Sequence, residues 1–506
     1  MTERACSIWH SCDIAGKFNP KFFVKKASKM RNLTLLTDFY ELTMMYGYFK
    51  EGKKDQIATF DLFFRPFDES NFCIVAGIEQ AVEYLQNLRF TDEDIDYLRT
   101  TNTFGEDFLE WLKDFKFTGS VKAMKEGTVV FPYEPIMIIT APICEAQLIE
   151  AALLNIINFQ TLIATKARRI CHVAHPSGVL EFGLRRAQAP DASIYGARAA
   201  VIGGCTSTSN VLCAKMFGMP PKGTHAHSWV MSFPTELDAF MAYAETFPNN
   251  CLLLVDTYDT LHSGVPNAIK VFDHLKAQGY KPLGIRLDSG DLAYLSKEAR
   301  KMLDEAGHAD CKIFASSDID EYVITALNQQ GAKIDIYGVG TKMITSHSNP
   351  SLGGVYKLAN LHVDGVDYPK MKISDNPIKM TNPGKKCVYR LIGRDTGKAI
   401  ADVMCLDHEK IDDSKNFVIT HPVERWKTKE VTNFVAVPLH EDIIVDGKIC
   451  YTPQNVYEHQ AYCKQSLATF WDEYLRISRP HQYKVDLSEE LYALKQSLIM
   501  ADRKVK

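Results

Sequence analysis

Between about residues 180 and 341, short apolar runs alternate with helical patterns, and most of these runs end in polar or glycine residues. Four such ends, Asp256, Asp288, Ser316 and Gly340, are separated by 32, 28 and 24 residues. That spacing fits one strand plus one helix, the crossover that parallel strands require. The repeat therefore predicts a parallel α/β unit with polar side chains at the carboxyl ends of its strands. The pattern favours a barrel, and a doubly wound sheet would place its site similarly.

The two ends of the chain have a different pattern. Strand-like runs occur on both sides of the central repeat, and a helix that is apolar nearly all round, at 145–170, leads into it. We therefore predict an α/β barrel at 151–359, a mixed α/β domain assembled from 33–150 and 360–455, and C-terminal helices at 456–506. The strand-like runs are 58–67, 71–77, 128–143, 386–392, 398–406 and 434–451.

The charge balance excludes two classes of partner. The formal net charge of the 506 residues is -4 and the sequence pI is about 6.4, which gives no electrostatic reason to expect binding to nucleic acid or an anionic membrane. No apolar run approaches the ~20 residues that span a bilayer. The 13 cysteines are scattered without a C-x-x-C pair, as expected for reduced, buried thiols of a cytosolic protein. We therefore predict a cytoplasmic protein.

Residues 1–32 form a basic N-terminal tail. Seven lysine and arginine residues stand there against Glu3 and Asp13, and the segment lacks the long apolar region of a secretory signal. We expect a disordered tail, and a weak organelle-targeting signal is the alternative.

Histidines, arginines and aspartates that could act in catalysis or ligand binding are concentrated near the ends of the central apolar runs. The segment GTHAHS, 223–228, contains His225 and His227, which could act as base, nucleophile or metal ligand, or be ordinary structural histidines. Arg185 and Arg286 could bind carboxylates or phosphates, or form structural salt bridges. Asp256 and Asp288 could hold sugar hydroxyls or a magnesium ion.

Two glycine-containing segments complete this set. GVGT, 338–341, and SLGGVYK, 351–357, lie where barrels commonly bind phosphate through backbone N–H groups, although each could also be a plain turn. Together with the arginines and aspartates, they predict a phosphorylated sugar substrate and a second anionic partner.

The sequence resembles the nicotinate phosphoribosyltransferase family, a group of type II phosphoribosyltransferases, over nearly all of residues 33–405. The resemblance implies an irregular TIM-like α/β barrel with a second mixed domain, and a homodimer whose active sites are shared between subunits. The matching stretches, in order, are LTDFYELTM, FRPF with VAG, LLNIINFQTLIATKA, EFGLRRAQ, GTHAHS, VDTYDT, GIRLDSGDL, and GVGT with SLGGVYKL.

The resemblance also implies a reaction. Nicotinate and 5-phosphoribosyl 1-diphosphate would yield nicotinate mononucleotide and diphosphate, the first step of NAD biosynthesis from nicotinate. Hydrolysis of ATP, a co-substrate, would be coupled through a transient phosphohistidine, so the enzyme is classed as a ligase, and Mg²⁺, or Mn²⁺, would assist.

Residue roles follow from the same matching. His227 corresponds to the phosphorylated histidine, whereas His225 receives no role. Tyr40 would stack on the pyridine ring, Thr224 and Arg286 would lie at the nicotinate site, and Arg185 is a further candidate for a substrate carboxylate or phosphate. The remaining implied contacts are Asp256 and Asp288 near the ribose and metal, and Gly340, Thr341 and Gly354 at the phosphoribosyl phosphate.

Three alternatives compete with this interpretation. A nicotinamide phosphoribosyltransferase would be expected to carry an acidic residue before the histidine, where GGCTSTSN, 203–210, has only hydroxyls and an amide. A non-catalytic homologue would not need to keep His227, Arg286, Asp288 and Thr341 together. An aldolase or isomerase would usually place a lysine or glutamate base at a strand end, and none of the runs LLLVDTY, LGIRLDSGD, KIFASSD and IDIYGVGT ends in one.

Overall fold

The structure is a computed structural model that describes residues 31–67, 71–376 and 379–505. The predicted basic tail lies outside the described residues apart from Arg31 and Asn32.

A seven-stranded sheet combines strands from distant parts of the chain. β1 pairs antiparallel with β5 on one side and with β12 on the other. The order across the sheet is β13-β12-β1-β5-β3-β19-β20. Its strands are β1 (Ile57–Phe64), β3 (Ser120–Met124), β5 (Met137–Pro142), β12 (Gly354–Val363), β13 (Val366–Pro369), β19 (His440–Val445) and β20 (Lys448–Ile449). A two-strand pair, β2 (Cys73–Ile74) with β4 (Val129–Val130), lies apart from it.

The central repeat forms a six-stranded parallel sheet. The strands run in the order β7-β6-β11-β10-β9-β8, and every pairing in it is parallel. The predicted strand–helix repeat is confirmed, and β8, β9, β10 and β11 each end within two residues of the polar or glycine residue that marks the run. The strands are β6 (Gly178–Glu181), β7 (Ser207–Thr208), β8 (Leu252–Leu254), β9 (Gly284–Leu287), β10 (Lys312–Ser317) and β11 (Ile336–Val339).

A third sheet was not foreseen. Six strands near the C-terminus form a separate sheet in the order β17-β16-β21-β15-β14-β18. Of the C-terminal strands, therefore, only β12, β13, β19 and β20 join the N-terminal strands as expected. Residue 359, the predicted end of the barrel, lies inside β12, and the division into domains stays a prediction. The strands are β14 (Lys386–Gly393), β15 (Ala399–Leu406), β16 (Phe417–Thr420), β17 (Thr428–Val431), β18 (Phe434–Pro438) and β21 (Val485–Leu487).

Helices cover the sheets and connect the parallel strands. Aspartate side chains begin two of the crossover helices: Asp291 accepts the first free N–H groups of α12, and Asp320 accepts those of α13. The helices are α1 (Phe39–Lys50), α2 (Ile78–Gln86), α3 (Asp92–Thr100), α4 (Glu106–Leu112), α5 (Ile143–Leu148), α6 (Glu150–Ala174), α7 (Pro190–Ile202), α8 (Val211–Phe217), α9 (His227–Met231), α10 (Glu236–Thr246), α11 (Val265–Ala277), α12 (Leu292–Glu305), α13 (Glu321–Gln329), α14 (Thr341–Ile344), α15 (Val456–Ala468), α16 (Asp472–Leu475) and α17 (Glu489–Val505).

α6 joins the two largest hydrophobic cores. The predicted helix at 145–170 is interrupted at Ile149, which separates α5 from α6. Leu153 belongs to the core below the seven-stranded sheet, whereas Ile163 and Ile170 belong to the core of the parallel sheet. Within the described residues, no helix is both long and apolar enough to cross a membrane.

A buried charge cluster connects four separate segments. Both carboxylate oxygens of Glu126 accept hydrogen bonds from Arg198, at 2.9 and 2.6 Å, and Arg198 also pairs with Glu79. Nε2 of His459 lies 3.1 Å from Glu126 without hydrogen-bond geometry. Burial alone would raise the pKa of Glu126, but the charge and hydrogen bonds of Arg198 outweigh it and lower the pKa to about 2.

The Glu126–Arg198 pair predicts a specific acid sensitivity. Because the pKa of Glu126 is lower when folded than its ordinary value of 4.5, its stabilising contribution is complete above that value and is lost as the pH falls toward 2. Glu126→Gln should lower the free energy of unfolding by about 3 kcal/mol at pH 7, since Arg198 loses a buried partner. The variant should also lose less stability than the wild type between pH 4.5 and 3, as measured by denaturant titration.

The exposed pair of Glu441 with Lys125 offers the matched control for this measurement. Glu441→Gln should change stability by under about 1 kcal/mol at either pH. Equal acid sensitivity of Glu126→Gln and the wild type would contradict the assignment.

Candidate active site

The parallel register places polar side chains side by side at the carboxyl ends of the strands. Arg286 of β9 lies opposite Leu254 of β8 and Phe314 of β10, and Ser316 lies opposite Gly338 of β11. Parallel strands end at a common edge, so the residues that follow them converge there. The predicted gathering of polar groups is therefore observed.

Arg286 is the centre of this group. Its guanidinium donates from Nε to Ser316 Oγ at 2.8 Å, from Nη1 to Thr224 Oγ1 at 3.0 Å and from Nη2 to Asp288 Oδ1 at 2.9 Å. The side chain is only 17% exposed. A planar guanidinium held on three sides presents its remaining donors in a fixed direction, which suits an anionic ligand.

Asp288 is kept ionised by its neighbours. Burial alone would raise the pKa of its carboxyl, but hydrogen bonds from Ser316 and Arg286 and the charge of Arg286 hold the pKa below its usual range. The site therefore contains an ionised carboxylate paired with the Arg286 guanidinium.

Asp256 lies behind Asp288. Its Oδ2 accepts hydrogen bonds from the Asp288 backbone N–H at 2.8 Å and from Ser289 Oγ at 2.6 Å. Its Oδ1 is buried and has no hydrogen-bond partner among the described residues. An unpartnered buried carboxylate oxygen is costly, and a cation would satisfy it.

The two histidines of GTHAHS have different environments. His227, the first residue of α9, has its side chain 39% exposed, with Nδ1 3.2 Å from Thr257 Oγ1 and Nε2 3.7 Å from Asp288 Oδ2. His225 is buried and its Nε2 accepts the Leu254 backbone N–H at 3.2 Å. Only His227 thus faces the cluster of polar side chains and solvent.

Phe182 is a residue that sequence reasoning missed. Its ring centroid lies 5.9 Å from the guanidinium carbon of Arg286. A Cβ at Gly338 would come within 2.6 Å of this ring, so the glycine makes room for it. The residue stands inside the motif EFGLRRAQ, but an aromatic side chain after a strand is just as consistent with a core position.

Three hydroxyl residues were also missed as site components. Ser316 was used only as a spacing marker, yet it bridges Arg286 and Asp288, and Thr257 and Ser289 contact His227 and Asp256. Serine and threonine are common at strand ends, so their type alone carried no signal. Thr257 and Ser289 directly follow Asp256 and Asp288 in the sequence, and that proximity is the usable signal.

Other predicted residues lie outside this hydrogen-bonded group. Tyr40 is on α1 and 46% exposed, and burial together with the charge of nearby Glu150 raises the pKa of its hydroxyl. Arg185 is exposed in the turn after β6 and forms no ion pair with the described residues. Gly354 is the first residue of β12 rather than part of a free loop, and a Cβ there would overlap the side chain of Asn158.

Gly340 and Thr341 lie closer to the group. Gly340 precedes α14, and a Cβ on it would come within 3.0 Å of the Phe182 carbonyl oxygen. Thr341 is the first residue of α14. The GVGT segment therefore lies against the residue whose ring faces Arg286.

Comparison with known proteins identifies the family. Residues 178–410 match the nicotinate phosphoribosyltransferase (NAPRTase) family. The nicotinate phosphoribosyltransferase of Bacillus subtilis (strain 168) is 50% identical over 470 residues, which cover 92% of this chain and 95% of that protein. This chain belongs to the nicotinate phosphoribosyltransferase family.

Nicotinate phosphoribosyltransferase family profiles also match both ends of the chain. The N-terminal domain matches residues 35–158 and the C-terminal domain matches residues 385–495, which extends the similarity past residue 405. The human nicotinate phosphoribosyltransferase is 34% identical over 523 residues, 92% of this chain and 96% of that protein. The crystal structure of human nicotinic acid phosphoribosyltransferase superimposes with a TM-score of 0.80 at 31% identity, covering 92% of this chain and 100% of the human one. The predicted α/β fold is thereby confirmed.

Proposed function

We propose that this protein transfers the phosphoribosyl group of 5-phosphoribosyl 1-diphosphate to nicotinate, forming nicotinate mononucleotide and diphosphate. The observation that carries the proposal is the single hydrogen-bonded group of Arg286, Thr224, Ser316 and Asp288 at the carboxyl edge of the parallel sheet. Family membership supports the same reaction. Nicotinate mononucleotide formed in this way would enter NAD biosynthesis.

Arg286 is proposed to bind the anionic pyridine substrate. Its guanidinium, fixed by Thr224, Ser316 and Asp288, can direct its charge toward a carboxylate, and the neighbouring Phe182 ring offers a stacking surface for an aromatic heterocycle. Arg185 is a second candidate for a substrate carboxylate or phosphate. Gly340, Thr341 and Gly354 are proposed to contact the 5-phosphate through their backbone.

Mg²⁺, or Mn²⁺, is proposed to be held by Asp256 and Asp288. The unpartnered Oδ1 of Asp256 and the ionised carboxylate of Asp288 supply the oxygen ligands that these hard cations prefer. Such an ion would neutralise the diphosphate leaving group while the carboxylates orient the ribose hydroxyls. Transfer through an oxocarbenium-like state requires mainly positioning of this kind.

ATP is proposed to act as co-substrate through His227. A neutral ring nitrogen would attack the γ-phosphorus of ATP, forming an N–P bond, breaking the bond to the β,γ-bridging oxygen and releasing ADP. Water would later cleave the N–P bond, returning free imidazole and phosphate. The exposure of His227 and its closeness to Asp288 support this role, because a phosphate there would lie beside the proposed metal.

Nicotinate is favoured over nicotinamide as the substrate. The described segment 203–210 contains no carboxylate, and two of its polar side chains are already engaged, Thr208 with Glu181 and Asn210 with Ser193. A carboxylate in that segment would suit an amide, whereas the fixed cation Arg286 suits a carboxylate substrate.

A homodimer with shared sites is also proposed. Tyr40, the residue proposed to stack on the pyridine ring, stands with the exposed apolar side chains Leu36, Phe39 and Met44. Among the described residues, none of them shares a hydrogen bond or ring contact with the Arg286 group. Exposed apolar side chains also follow β6 to β10 around the edge that carries the site. They are Leu184, Val211, Leu212, Met216, Met231, Tyr258, Tyr294 and Tyr322. Pairing of the two surfaces would bring the partner subunit's Tyr40 to the Arg286 group.

We place the protein in the cytosol. The eleven cysteines of the described residues are free, and eight of them are buried, as expected where thiols stay reduced.

The first prediction concerns the substrate. Purified protein should convert nicotinate and phosphoribosyl diphosphate to nicotinate mononucleotide, faster with ATP and Mg²⁺ present, as followed by chromatography of the product. Nicotinamide tested in parallel should react at least about a hundredfold less efficiently, because its neutral amide leaves the charge of Arg286 unpaired. The proposal would be wrong if the protein formed a mononucleotide only from nicotinamide, or formed none from either compound.

The second prediction concerns His227. His227→Ala should abolish the stimulation by ATP and the nicotinate-dependent hydrolysis of ATP, because the acceptor nitrogen is gone. Labelling with γ-³²P ATP should give an acid-labile phosphoprotein in the wild type only. His262→Ala, which removes an exposed histidine of the loop after β8, is the matched control and should retain both properties. Normal coupling in His227→Ala would disprove the assignment.

The third prediction concerns the shared sites. Tyr40→Ala and Arg286→Ala should each be nearly inactive, whereas co-refolding them in equal amounts should restore about a quarter of wild-type activity. Half of the resulting dimers would be mixed, and each mixed dimer would contain one intact site. If Tyr40 and Arg286 act within one subunit, the mixture should stay as inactive as its components.

A further inference from the structure

The parallel sheet is open between β7 and β8, and the GTHAHS segment fills that gap. β7 and β8 are the two ends of the six-strand order, and no described strand lies between them. Residues 219–226 run there in neither helix nor strand. On one side the Lys222 backbone N–H donates to the Thr208 carbonyl at 3.0 Å. On the other side the Leu254 backbone N–H donates to Nε2 of His225 at 3.2 Å.

An imidazole here does what a backbone carbonyl does elsewhere in the sheet. The N–H of Leu254 is buried within β8, and a buried donor without an acceptor is strongly unfavourable. Because the segment is irregular, it offers no carbonyl to this N–H, and the His225 side chain provides the acceptor instead. The segment is thereby held to β8 through a side chain and to β7 through its backbone.

The surroundings fix the protonation state that this contact needs. Nε2 can accept only when the ring is neutral and its proton is on Nδ1, which faces the Ala226 carbonyl at 3.4 Å. The ring is buried against α10, 4.7 Å from the Tyr243 ring centroid in an edge-on arrangement. Burial, with Arg286 and His227 nearby, lowers the pKa of His225 to about 4, so the ring stays neutral at cellular pH.

Residues on both sides of His225 in the segment belong to the proposed site. Thr224 Oγ1 accepts from Arg286 and donates to the His225 carbonyl at 3.1 Å. Two residues further on, His227 reaches Thr257 and Asp288. The position of His225 therefore determines where Thr224 and His227 stand relative to β8 and β9.

We propose that His225 is a positioning residue. Its imidazole supplies to β8 the hydrogen-bond acceptor that a neighbouring strand would otherwise supply, and so holds Thr224 beside Arg286 and His227 beside Asp288. This inference rests on the proposed function for its kinetic consequences but not for its structural one. His225 itself takes no part in phosphoryl or phosphoribosyl transfer.

The test compares two substitutions of different chemistry. His225→Phe keeps a flat ring against Tyr243 but removes the acceptor, whereas His225→Gln can place an oxygen near the position of Nε2. His225→Phe should raise KM for nicotinate at least about tenfold and lower the amount of product formed per ATP hydrolysed, because Thr224 and His227 lose their register. In His225→Gln, both KM for nicotinate and the amount of product formed per ATP hydrolysed should stay close to their wild-type values.

A second measurement is independent of activity. Amide hydrogen exchange, followed by mass spectrometry of the peptide containing Leu254, should show fast exchange in His225→Phe and wild-type protection in His225→Gln. Nitrogen-15 NMR of the histidines should show His225 neutral, with Nδ1 protonated, from pH 5.5 to 8. The NMR measurement is made on the wild-type protein, so it does not depend on whether the variants fold.

The outcomes separate the two proposals. Unchanged exchange and kinetics in His225→Phe, equal loss in both variants, or titration of His225 near pH 6.5 would overturn the positioning role. If the wild type fails to make nicotinate mononucleotide but the exchange and NMR results are as expected, the proposed function fails and the role of His225 in closing the sheet is supported.

Discussion

The approach of β9 to β10 is the constraint on which the site depends. Gly284 opens β9 with φ +149°, and a Cβ there would lie 1.9 Å from the Lys312 carbonyl oxygen. Only glycine allows this contact, and it pairs Gly284 with Lys312 and Arg286 with Phe314. That register brings Arg286 within hydrogen-bond distance of Ser316. Asp288, which follows β9, then bonds to Arg286, and Asp256, which follows β8, bonds to the Asp288 backbone. A slip of one residue would turn the guanidinium to the other face of the sheet.

The central repeat could be predicted because its physics is local. Each apolar run is followed by a polar end and a helix of ordinary length, so the sequence alone predicts Asp256, Asp288 and Ser316 at one edge of the sheet. What the spacing could not supply was the gap between β7 and β8. A hydrogen bond from a strand to a single side chain leaves no periodic pattern in the sequence, so the sequence does not distinguish His225 from an ordinary buried histidine.

The outer sheets were less predictable for a related reason. An alternating pattern predicts that a segment is a strand, but it does not show which distant strand that segment pairs with. The sequence therefore does not separate β14–β18 from the strands that join the N-terminal sheet. Gly354 illustrates the difficulty: in sequence it ends a glycine-rich turn, yet in the fold it is the first residue of β12, paired with Phe64 of β1. The side chain of Asn158 on α6 leaves no room there for a Cβ. Phe182 was overlooked because hydrophobic character alone does not distinguish a core ring from one that faces an arginine.

The pairing of β1 with β12 has a consequence for how the protein is made. β1 ends at Phe64, and its partner strand begins about 290 residues later at Gly354. At roughly 5–20 residues per second, a ribosome takes on the order of 15–60 s to deliver the second strand. During that interval one edge of an almost entirely buried, aromatic-rich strand has no hydrogen-bonding partner. The nascent chain therefore cannot complete the N-terminal sheet until β12 has been made, and until then the open edge of β1 is exposed to aggregation.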